Sequence, residues 1–191
     1  MLRTVGEILG YIAVVAGCFI YVGKTRKALA ITKLCIECCW LISYILQGGL
    51  WTMLILTAIA IARQVVFYFR GIKKWADSIV WLVVFLLCTC ISPTLELVSK
   101  GFSWELFLTL LLPTTGSVLI AFVYYCKSPI VAKILGLPAS FAYLVYAIII
   151  SNLPLILSGI VGLPITIVSL ILQIKEERKN KQNQQQEQIS N

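Results

Sequence analysis

Seven apolar stretches, each close to the length that crosses a bilayer, fill nearly all of this chain: residues 5–22, 28–47, 51–70, 79–95, 106–126, 130–150 and 153–174. A helix needs about 20 mostly apolar residues to pass through the hydrocarbon core. The longest connection runs from Glu96 to Glu105, so no water-soluble domain fits between spans. A soluble domain averages roughly 45–50% apolar and about 25% charged residues. Here the figures are 60% and 13% of 191 residues, an apolar excess too large for one core. The chain therefore reads as an all-α membrane protein.

Only the C-terminal stretch is water-like. Residues 175–191 hold no aromatic and a run of Gln and Asn, a composition expected to be disordered beyond a first helical turn. The first apolar run follows Arg3 as a secretory leader would. Glu7 interrupts it, however, and Lys24, Thr25, Arg26 and Lys27 end it as a cytoplasmic loop does. The last span opens at Leu153 and Pro154, which admit either a helix start or an extended loop.

Sixteen Lys plus Arg against eight Asp plus Glu give a net charge of +8. With seven spans, one side receives Lys24, Arg26, Lys27, Arg70, Lys73, Lys74, Lys127, Lys175, Arg178, Lys179 and Lys181, and the other receives Arg3 and Lys100. Eleven against two is a strong positive-inside bias. It places the N-terminus outside and the C-terminus in the cytoplasm, and it explains the basic surplus without a nucleic-acid partner.

Sliding the chain against itself by 103 residues aligns 15–72 with 118–175 without a gap. Val15, Phe19, Tyr21, Lys24, Ile31, Leu34, Leu41, Ile45, Leu50, Leu54 and Val65 recur, and Trp40 meets Tyr143. Spans 1 to 3 and 5 to 7 both begin outside, because the fourth restores direction. The expected plan is therefore 3+1+3, two parallel three-helix repeats at 1–78 and 106–174, a linker helix and loop at 79–105, and the polar tail at 175–191.

The segment Leu50 to Arg70 with its Ala-Ile-Ala-Arg ending at Arg63, the stretch Leu111, Leu112, Pro113, Thr114, Thr115, Gly116, and the close of helix 5 at Tyr125, Cys126, Lys127, Ser128 resemble bacterial inner-membrane proteins of the YgjV type. The resemblance spans nearly the whole chain. It implies a multi-pass protein of the bacterial inner membrane, related by similarity to the SWEET and PQ-loop proteins, in which parallel repeats surround a midplane site. Two departures stand out: Ala60 occupies a position where the family tends to carry Asn, and Pro113 and Pro138 stand opposite Gly10 and Cys35.

Ionisable groups inside spans are functional candidates by default. Lys33, Glu37, Trp40 and Tyr44 follow steps of four, three and four, which put them on one helical face. Counted from the cytoplasmic end at 1.5 Å per residue, Lys33 lies about 8 Å deep, Glu37 about 14 Å and Arg63 about 10 Å. These depths predict a Lys33, Glu37 and Arg63 charge cluster, either as a structural brace between helices 2 and 3 or as part of a solute site. At matching positions the second half carries Gly136, Ser140, Tyr143 and Ala147. A central cavity would then be charged on one wall and small or hydroxylic on the other. Trp40, Tyr44, Tyr143, Glu37, Arg63 and Ser140 are the candidate substrate contacts.

Small residues at Gly6, Gly10, Ala13 and Gly17, and at Gly159, Gly162, Thr166 and Ser169, permit close helix approach and are read as packing. Asn152 lies at an outer loop and receives no role. Histidine is absent, which removes imidazole bases, catalytic triads and His metal sites. Cys35, Cys38 and Cys39 form a C-x-x-C spacing inside an apolar span with no second pair, so no metal, cofactor or disulfide framework is expected. The functional reading is a small-solute transporter or facilitator and not an enzyme, with the bilayer and a small polar or aromatic solute as partners. A non-transporting membrane scaffold or accessory subunit is the alternative, and a homo-oligomer is compatible with either.

Overall fold

The computed structural model describes residues 2–18, 26–48, 51–126 and 129–190. They form seven helices: α1 (Leu2–Cys18), α2 (Arg26–Gln47), α3 (Trp51–Phe69), α4 (Val80–Lys100), α5 (Trp104–Tyr125), α6 (Pro129–Ile149) and α7 (Leu153–Ser190). A short 3-10 turn, Lys74–Asp77, joins α3 to α4, and no strand is present among the described residues. Residues 19–25, with Lys24 and Thr25 of the basic loop, lie outside the described residues, as do Leu50, Lys127 and Ser128.

Five helices are long and apolar enough to cross a membrane by length and composition: α3, α4, α5, α6 from Ile130, and α7 as far as Glu176. The described part of α1 is 17 residues long, and α2 carries Arg26, Lys27, Lys33 and Glu37. Both nevertheless pack within the bundle. Helix α1 touches α2 and α7, α2 touches α3, α3 touches α5, α5 touches α6, and α6 touches α7. Six helices thus close a ring, and α4 lies outside it against α3 and α5.

The outer surface of the bundle is apolar where that of a protein in water is polar. On α4, Val83, Leu87, Ile91, Leu95 and Val98 are exposed, while Phe85, Thr89, Ser92 and Glu96 are buried. Steps of four, three and four turn the second set toward α3 and α5. Ser43, Thr52, Thr57, Gln64 and Ser117 are likewise buried. Apolar side chains outside and hydrogen-bonding ones inside are what a lipid solvent selects, because polar groups are expensive only where they face hydrocarbon. Aromatic clusters mark both ends: Phe69, Trp75, Trp81 and Phe85 at the α3–α4 turn, and Phe102, Trp104 and Phe107 at the α4–α5 turn. The helix between them rises about 32 Å, close to the thickness of the hydrocarbon core.

Two expected boundaries move. Helix α4 runs to Lys100, so Glu96 is helical and buried instead of standing in a loop. Its Oε2 accepts the backbone N–H of Thr52 at 2.9 Å and the Thr52 hydroxyl, and Oε1 accepts Lys100 Nζ at 2.5 Å. A carboxylate from α4 thereby satisfies the positive first turn of α3. The tail expected to be disordered is the continuation of α7 to Ser190. Gln, Glu, Lys and Arg are good helix formers, and extending an existing helix avoids the cost of nucleation.

Candidate functional site

The ring surrounds a partly open cavity of about 330 Å³ to which all six of its helices contribute, and to which α4 contributes nothing. That volume lies in the range of small-molecule pockets. Helix α2 supplies Lys33, Glu37, Trp40 and Tyr44 from its single stripe, and α3 adds Arg63. Opposite them are Ser140 and Tyr143 of α6 and Gly162 and Thr166 of α7. Every candidate contact proposed from the sequence borders this one space. Charge lies on α2 and α3; of the small or hydroxylic set expected on α6, Ser140 and Tyr143 border the cavity while Gly136 and Ala147 do not, and the α7 stripe read as packing contributes Gly159, Gly162 and Thr166.

The charged groups are not arranged as the depths alone suggested. Among the described residues, the ion pairs formed within 4.0 Å are Arg3 with Glu7, Arg70 with Asp77 and Lys100 with Glu96. The expected contact pair of Glu37 with Arg63 is not formed. Arg63 is 4% exposed and donates from Nη1 to the Ser117 carbonyl at 3.3 Å, while its Nε finds no hydrogen-bond partner. Its guanidinium carbon stands 5.1 Å from the centre of the Tyr124 ring, and Lys33 Nζ stands 5.5 Å from the same centre. Both cations thus meet the electron-rich ring of a tyrosine, a contact worth up to about 2 kcal/mol when desolvated. Rotation of α3 explains the difference: Arg63 turns toward α5, whose position depth counting cannot supply. Glu37 is half-buried on the cavity wall.

Tyr124 is the residue that sequence reasoning missed. Gln64 Nε2 donates to its hydroxyl, Arg70 Nη1 donates to its carbonyl, and Phe67 packs edge-on against it at 4.9 Å. A signal was present, since Tyr124 matches Tyr21 across the 103-residue offset. Trp40 stacks on Tyr44 at 5.5 Å and 20°, whereas Tyr143 of α6 packs its ring against α5: a Cβ at Gly116 would sit 2.8 Å from Tyr143 Cε2.

At the end of the cavity beyond Tyr44 and Leu155, the helices close. Ser43 Oγ donates to the Gly6 carbonyl at 2.6 Å, and Gln47 Nε2 donates to Ser43 Oγ at 2.8 Å. Asn152 Nδ2 donates to Gln47 Oε1 at 2.9 Å, while Asn152 Oδ1 accepts the Leu155 N–H at 3.1 Å. Asn152 is therefore the N-cap of α7, with Leu153 and Pro154 as its first helical residues. This decides for a helix start and gives a role to a residue that the sequence left without one. A Cβ at Gly10 would lie 2.8 Å from Pro154 Cβ. Beyond this seal is a second space of about 220 Å³ lined by Arg3, Glu7, Gln47 and Asn152. The small-residue stripes divide accordingly. Gly6, Gly10 and Gly159 have tight neighbours, whereas Gly17 and Gly162 have none within 4 Å; Gly17, Gly159 and Gly162 all border the cavity.

Apolar spans turned outward, buried polar groups and a charged central cavity define a multi-pass helical membrane protein. The model of a family described as Imp-YgjV, bacterial inner membrane protein, matches residues 4–177. The chain belongs to that family. No curated protein matches it, and no solved structure does.

Proposed function

We propose that the protein is a small-solute transporter or facilitator of the inner membrane, in which two three-helix halves rock about the central cavity. The observation that carries this reading is the cavity itself, walled by six helices from both halves with its charged residues turned inward. A scaffold gains nothing from keeping Lys33, Glu37 and Arg63 around open space, because such groups are expensive in a membrane unless they are used. The contact pattern also supports two halves: exchanging α1, α2 and α3 for α5, α6 and α7 leaves the ring unchanged and α4 outside it. Our reading is a 3+1+3 plan like that of SWEET proteins, with all seven helices spanning, the N-terminus outside and the C-terminus in the cytoplasm.

In that orientation the seal made by Gly6, Ser43, Gln47 and Asn152 is the closed outer gate, and the space beyond it is the outer vestibule. Alternating access then requires α1 and α7 to part at Gly10 and Pro154. Counterflow in proteoliposomes with a panel of sugars, nucleosides, amino acids and organic acids tests the reading. At least one solute should move, and Gly162→Leu, which fills the cavity, should stop it while the protein stays folded. Flux that Gly162→Leu leaves unchanged would overturn the assignment of the path.

A further inference from the structure

We infer that the central cavity binds a small organic monoanion, with its charged head at Arg63 and Lys33 and its apolar body against Trp40, Tyr44 and Tyr143. The inference deepens the transporter reading and rests on it for flux, though not for binding. Among the described residues, three charged ones line the cavity, Lys33, Glu37 and Arg63. Two cations less one anion leave an excess of one positive charge.

Among the described residues that excess has no full counter-charge. Arg63 is almost wholly buried, its Nη1 reaches only a neutral carbonyl, and its Nε–H is unpartnered. The Tyr124 ring offers both cations a quadrupole, which is weaker than an anion. A buried guanidinium without its counter-ion is costly, and its Nε edge is part of the fork that grips carboxylates and similar oxyanions. A bound monoanion neutralises the site. A neutral solute leaves the excess charge in place, and a cation adds to it.

Size and shape agree. At about 30 Å³ per water the cavity of about 330 Å³ holds roughly eleven waters, which suits a solute of one ring and a head group. Trp40 and Tyr44 are stacked, so they present a single aromatic surface beside the cations.

The test uses benzenesulfonate and its neutral isostere benzenesulfonamide, titrated calorimetrically into the purified full chain in detergent at fixed salt. Benzenesulfonate should bind about tenfold tighter or more, the contribution of one charge-assisted hydrogen bond. Lys33→Gln should remove most of that preference, and Glu37→Gln should enlarge it. Arg63→Gln should abolish it; if that variant fails to fold, the half-exposed Lys33 carries the test. Equal binding of the two probes, or binding of neither, overturns the inference. Benzenesulfonate counterflow in proteoliposomes is read separately. Binding without flux refutes the transporter reading and leaves the anion site, whereas flux of neutral solutes without anion preference does the reverse.

Discussion

The two ends of the cavity obey opposite rules. At the sealed end Gly6, Ser43, Gln47 and Asn152 form one hydrogen-bonded chain, and Gly10 lets α1 close onto Pro154. At the cation end Lys33 and Arg63 share one tyrosine ring, Glu37 forms no contact ion pair, and Arg63 keeps an unpartnered donor. Polar groups in a membrane are normally satisfied internally. The sealed end follows that rule and the other end departs from it; on the reading proposed above, the first holds the fold and the second the solute.

If that division is correct, the largest effect belongs to Gly10→Val. Its side chain enters the contact with Pro154, and overpacking of this kind costs about 3 kcal/mol. Thermal unfolding in detergent should show the loss, with the affinity per folded molecule for benzenesulfonate preserved; a variant as stable as the wild type would show that the seal is not tight.

Asn152→Ala comes next, removing the N-cap of α7 and the bridge to Gln47 for about 1.5 kcal/mol. Its solute affinity should again be unchanged. The reverse pattern is expected of Arg63→Lys, which keeps the charge and loses the planar fork. Stability should hold while benzenesulfonate affinity falls about tenfold, or about 1.4 kcal/mol. If stability falls and affinity does not, Arg63 is a brace.

The smallest effect separates two glycines three residues apart on α7. Gly162→Ala meets open cavity and should leave the unfolding temperature no lower than in the wild type. Gly159→Ala places a Cβ 2.7 Å from Leu144 Cδ1 and should lower it measurably. Equal behaviour of the two would remove the distinction between a tightly packed and an open position on the same cavity wall.

Helix periodicity made much of this legible without coordinates. The stripe Lys33, Glu37, Trp40, Tyr44 is a matter of spacing along one helix, and spacing is local. All four line the cavity. The helices themselves were legible for the same reason, since bilayer thickness prescribes the length of an apolar run. The buried Glu96 was not, because an acidic residue near the end of a span reads as a boundary until the first turn of α3 is found beside it. Asn152 was passed over on similar grounds, its partner Gln47 being 105 residues away.

By itself, then, the sequence determined that this chain is a bundle of apolar helices in which α2 carries a charged and aromatic stripe and α3 a single arginine within its span. Depth along each helix follows from counting at 1.5 Å per residue, and facing follows from the 3.6-residue period. Tertiary structure alone decided how α3 is rotated against α5, and hence that Arg63 meets Ser117 and Tyr124. Rotation and tilt come from side-chain packing between helices far apart in the chain, and no periodicity within one helix encodes which neighbour its side chains will meet.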